Sequence, residues 1–92
     1  MSYPVAALVG EFLGAFLLML SVLVSAGNAL VIGLTLAFIV FLIGPISGAA
    51  VNPAIAFGSF FQGTLSLLDS CLYIAVEYGG ALAAVYAFKA VA

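Results

Sequence analysis

Ninety-two residues carry one basic side chain (Lys89), three acidic ones (Glu11, Asp69 and Glu77) and no histidine, and 68% of the chain is apolar; the mean hydropathy is +1.52. A chain this short buries only about 60% of its unfolded surface on folding, and four charges cannot solubilise the remainder, so the composition points to a protein that faces lipid. It excludes intrinsic disorder and nucleic-acid binding, which needs clustered Lys and Arg; with a lone cysteine (Cys71), no histidine and three scattered acids, it supplies no constellation for an internal disulfide, a metal, a cofactor or a catalytic triad, and the expectation is a protein that is not an enzyme.

The first apolar run, over 4–25, has the roughly 20 residues a helix needs to cross a bilayer. Pro4 suits a first helical turn, where its missing N–H costs nothing, and the run carries one acid, Glu11. It exceeds the roughly 7–15 apolar residues of a cleavable signal peptide and has no basic side chain before it, so it reads as a retained first span. Ser25 to Asn28 reads as a turn. A second span, over 29–44, is slightly short for a crossing and ends at Gly44 and Pro45. Residues 45–61 are apolar but begin with helix breakers. From Pro53 the segment can be helical, with Asn52 as N-cap and Pro53 at the first helical position. Nine or so residues at ~1.5 Å each make a helix of about 13 Å, half a bilayer. A third span, over 66–89, opens with Ser66 and Asp69 at capping-box spacing and closes on Lys89, which complements the helix dipole and can snorkel. Small residues recur every four positions in each span: Gly10 and Gly14; Ala29, Gly33 and Ala37; Gly79, Ala83 and Ala87. That spacing allows close helix contact.

The layout is an all-α membrane protein: helix, helix, half-helix, helix. Non-helical backbone at membrane depth is tolerated only inside protein or beside a water-filled cavity. The 45–61 segment is therefore either a re-entrant loop beside a pore or a surface loop with an interfacial helix, and composition alone leaves both open.

The run from Ile46 to Gly58, ISGAAVNPAIAFG, resembles the signature loop of the aquaporin and glycerol-facilitator (major intrinsic protein) family, S-G-x-x-x-N-P-A followed by an apolar residue. Here the pattern stands as Ser47, Gly48, Asn52, Pro53, Ala54 and Ile55. GEFLGAFLL, from Gly10 to Leu18, resembles the family's first helix, with Glu11 at its acidic position. Ile32 to Thr35 resembles its second, and YIAVEYGGA, from Tyr73 to Ala81, its third, with Glu77 where Gln is usual. The resemblance covers nearly the whole chain and half of a family member, whose six spans and two half-helices form two inverted repeats with the pore between them. It implies that 1–92 is a single half-repeat, an integral protein of the cell (plasma or inner) membrane. An inverted second half would complete the pore: another copy, giving a homo-oligomer, or the remaining part of a longer protein. Only Lys89 and the amino terminus give the positive-inside rule anything to act on, which permits both orientations.

The resemblance also implies roles. Asn52 would donate its amide to a passing water or hydroxyl oxygen, and Pro53 and Ala54 would bring two half-helices together. The carbonyls of Gly48, Ala49, Ala50 and Val51 would form a ladder of acceptors. Glu11 would hold the loop by accepting hydrogen bonds from the loop's N–H groups. For Glu77 two readings stay open, support of the loop and plain structural packing as an acid kept neutral by protonation. Ile32 and Val40 fall at filter positions that often carry an aromatic residue and a histidine, and Ile55 stands where the family's second half has Arg. That apolar constriction points to small neutral solutes such as glycerol besides water. Two other classes stay open on the sequence. One is a dual-topology proton-coupled exporter using Glu11, although such exporters have four full spans and no N-P-A half-helix. The other is a non-conducting structural subunit, in which Asn52 is loop chemistry.

Overall fold

The structure, a computed structural model, describes residues 4–92. Four helices follow in chain order: α1 (Pro4–Val24), α2 (Ala29–Ser47), α3 (Pro53–Gln62) and α4 (Leu67–Val91). Three of them are long and apolar enough to cross a membrane, and the longest dimension, 39 Å, exceeds the ~30 Å hydrocarbon core of a bilayer. The chain is an all-α integral membrane protein.

Local chemistry sets the helix ends. Gly27 takes a left-handed φ of +81° and donates its N–H to the Val22 carbonyl at 2.9 Å, closing α1. Asn28 then caps α2, its Oδ1 accepting the Val31 N–H at 3.1 Å. Ser66 caps α4 by accepting the Asp69 N–H at 3.0 Å, with Asp69 in the first turn and Lys89 in the last.

One boundary differs from the expectation. The second span was expected to end at 44, yet α2 runs through Pro45 to Ser47. A proline inside a helix removes one N–H donor and crowds one carbonyl, and here the turn beyond it is restored. Gly48, left-handed at φ +85°, donates its N–H to the Gly44 carbonyl at 2.8 Å. The non-helical part of the loop thereby shrinks to residues 48–52, and Gly48, Ala49 and Val51 in it are left-handed rather than extended.

Helix α1 packs between α2 and α4, and α3 rests on α4. Close approach to α1 is decided at two glycines. A Cβ on Gly14 would meet Val51 Cγ1 at 2.5 Å and Ile43 Cδ1 at 3.0 Å; one on Gly80 would run into the Phe12 carbonyl oxygen of the α1 backbone. The buried stripe of α4 is Ser70, Tyr73, Glu77, Gly80 and Ala84. It lies one residue on from the expected Gly79, Ala83 and Ala87, because the α1 backbone crosses at Gly80 while only the Phe12 ring reaches Gly79. The Ala29, Gly33, Ala37 stripe is exposed, and nothing lies within 4 Å of a Cβ built on Gly33. Ile39 is the buried residue of α2, whose Leu30, Leu34, Phe38 and Phe41 face outward.

Candidate functional site

The loop between α2 and α3 is strained and clamped. Gly48, Ala49 and Val51 all have positive φ, at +85°, +52° and +42°. For a β-branched residue this region is an outlier, and such residues cost on the order of 1–3 kcal/mol each unless their surroundings impose the conformation. The constraint is Glu11, fully buried on α1. Its Oε1 accepts the Val51 N–H at 2.7 Å. Its Oε2 accepts the Ala50 N–H at 3.1 Å and the Ser47 hydroxyl at 2.6 Å. The Ser47 Oγ in turn accepts the Ala49 N–H at 3.0 Å. Tyr73 reaches across from α4 and donates its hydroxyl to the Ser47 carbonyl at 2.7 Å. Hydrogen bonds to a charged group each contribute about 1.5–3 kcal/mol, enough to offset the strain.

The clamp engages the amides of 49–51 and leaves their carbonyls. No hydrogen bond among the described residues ends on the carbonyl oxygens of 48–51. Backbone polar groups away from water are nearly always paired, and lipid offers no partner. These acceptors are therefore open to a donor from outside the described residues.

The row ends at Asn52, the N-cap of α3, whose Oδ1 accepts the Ala54 N–H at 2.8 Å. Its exposed amide N–H₂ is a donor that the hydrogen bonds among the described residues leave unused. Pro53 starts the helix, and Ile55 is 54% exposed one turn on. The buried Ser70 hydroxyl fixes α3 to α4 through the Ala56 carbonyl at 2.9 Å. Val51, Asn52 and Pro53 border a recess of about 300 Å³ between α1 (Ala15, Met19) and α4 (Glu77, Tyr78). On the other side, Gly48, Ala50 and Ile55 border one of about 290 Å³.

Glu77 lies on α4, 1% exposed, beside the Glu11 carboxyl and the Asn52 backbone. The structure thus gathers residues 48–55, Glu11 and Glu77 into one cluster. Ile32 and Val40 stand outside it on α2, Ile32 half-buried and Val40 45% exposed, some 24 and 12 Å of helix rise before Gly48 at ~1.5 Å per residue. Sequence reasoning gave no role to the Ser47 hydroxyl, to Tyr73 or to Ser70. A signal existed for two of them: Ser70, Tyr73 and Glu77 are polar residues at helical spacing on an otherwise apolar helix, which places them on one face.

Residues 21–92 match the family described as Major intrinsic protein. The lens fiber major intrinsic protein of Rattus norvegicus is 47% identical over 55 residues, 60% of this chain and 21% of the relative. That of Lithobates pipiens is 44% identical over 55 residues, with the same coverage of 60% and 21%. The probable aquaporin PIP2-7 of Oryza sativa subsp. japonica is 39% identical over 57 residues, 62% of this chain and 20% of the relative. The matches span about a fifth of the length of these curated relatives. No solved structure matches significantly.

Proposed function

The chain belongs to the major intrinsic protein family, and on that premise we propose that it is one half of a passive channel for water and small neutral solutes such as glycerol. The pore closes against a second half in inverted orientation, in the simplest case another copy, which makes the working unit a homo-oligomer. The observation that supports this reading is that the four carbonyls of 48–51, next to Asn52, accept no hydrogen bond from the described residues. A water or hydroxyl group exchanges its hydration for these acceptors and for the Asn52 amide. An ion cannot recover its hydration energy there. The N-terminus of α3 adds a positive potential of about half a charge, which disfavours cations. In this reading Pro53 and Ala54 meet the opposing half-helix. Ile32, Val40 and Ile55 form an apolar constriction, and Glu11 and Glu77 hold the loop in shape.

The channel reading carries no chemical step, and it is favoured over proton-coupled export by the state of Glu11. Both oxygens of that acid are occupied by Ser47, Ala50 and Val51, which leaves it poorly placed to exchange with a substrate. Stopped-flow shrinkage of proteoliposomes holding the purified chain tests the proposal. Shrinkage faster than in empty liposomes, with weak temperature dependence and partial loss in Glu11→Gln, is the expected result. Shrinkage at the rate of empty liposomes contradicts it.

A further inference from the structure

Glu77 is an acid whose chemistry the conduit does not use. Both its carboxyl oxygens are shut off from solvent and have no hydrogen-bond partner among the described residues. Its polar neighbours are the Glu11 carboxyl from α1 and the Asn52 backbone from the loop. On α4 itself, the Tyr73 hydroxyl is donated to Ser47 and Tyr78 is exposed. The sole basic side chain, Lys89, is exposed near the end of α4, roughly 18 Å of helix rise away at ~1.5 Å per residue.

The hydrogen-bond inventory assigns the two carboxyls different forms. Glu11 receives three donors, one on Oε1 and two on Oε2. It acts purely as an acceptor, as an ionised carboxylate does, and of about four lone-pair sites one on Oε1 stays open. A second carboxylate beside it would be a buried charge set against a like charge, with the Asn52 N–H as the one donor near it, which is strongly unfavourable. A carboxylic acid has one O–H to donate and one carbonyl oxygen to accept with. Both partners are at hand: the open site on Glu11 and the N–H of Asn52. We propose that Glu77 is a neutral carboxylic acid donating its O–H to the Glu11 carboxylate, so that the pair holds one proton and Glu77 positions the Asn52 backbone from the α4 side. The inference concerns the folded half alone and does not depend on conduction.

Infrared spectra of the full chain in lipid at neutral pH test it, with the glutamate side-chain carboxyls ¹³C-labelled to separate them from Asp69. The wild type should show one protonated-acid C=O stretch and one carboxylate stretch, and Glu77→Gln should lose the former and keep the latter. Carboxylate stretches alone in the wild type overturn the proposal without recourse to any variant. Thermal unfolding in detergent gives a second readout. Glu77→Gln offers the same donor and acceptor and should keep the wild-type midpoint, whereas Glu77→Leu offers neither and should lower it. A midpoint in Glu77→Gln as low as in Glu77→Leu also overturns the proposal.

Discussion

At residue 51 a valine holds φ at +42° because two neighbouring amides are tied to one carboxylate on another helix. Glu11→Gln offers one acceptor oxygen where two are used and turns an N–H₂ toward a donor it cannot accept from. It should lower stability by about 1.5–3 kcal/mol, read by denaturant titration in detergent; an unchanged midpoint would show that the loop holds its shape without the clamp. Ser70→Ala removes the buried bond to the Ala56 carbonyl and should cost about 1 kcal/mol by the same measurement, with α3 loosening first in hydrogen exchange. Asn52 and Pro53 were legible in the sequence because capping is local, its donor two residues away. Glu11 was legible because an acid within an apolar span demands partners. The Ser47 hydroxyl and Tyr73 were not, since their partners lie 36 and 26 residues away and only the assembled helices bring them within reach.

At the scale of elements, the number and order of helices followed from run length and breakers, while the packing register did not. Small residues at 79, 80, 83 and 84 offer α4 two parallel seams, and the α1 backbone at Phe12 selects the one through Gly80. Gly80→Ala should therefore destabilise the fold by roughly 1–3 kcal/mol through overpacking. Gly33→Ala meets open space and should leave the isolated half unchanged or stabilise it by roughly 0.5–1 kcal/mol, the helix-propensity gain of Ala over Gly. Thermal midpoints of the two variants in detergent check the contrast, and equal losses would show that the α2 stripe is packed after all. The end of α2 is not legible from Pro45, because a proline removes a single donor, and the left-handed Gly48 supplies the stop.

On the scale of the whole molecule, the near absence of charge acquires an arrangement. Asp69 and Lys89 sit at the two ends of α4, and Glu11 and Glu77 face each other inside the fold. Glu11 is taken up by the loop amides, and Asp69 and Lys89 are remote, so on the channel proposal planar bilayers holding the chain should carry no single-channel current in salt while solute flux proceeds. Steady ionic current would contradict a conduit for neutral solutes. Composition made the membrane legible; closure of a pore was not, because it depends on surfaces that meet only between halves. Cross-linking in proteoliposomes addresses that meeting, using Asn52→Cys in a Cys71→Ser background and a short thiol-reactive bridge that enters the bilayer. Inverted halves bring the two position-52 thiols together at mid-membrane, so the bridge should produce covalent dimers. A thiol at exposed Val5, in the first turn of α1, ends on opposite membrane faces in the two copies and should give none. Dimers no more abundant from position 52 than from position 5 would contradict the half-pore.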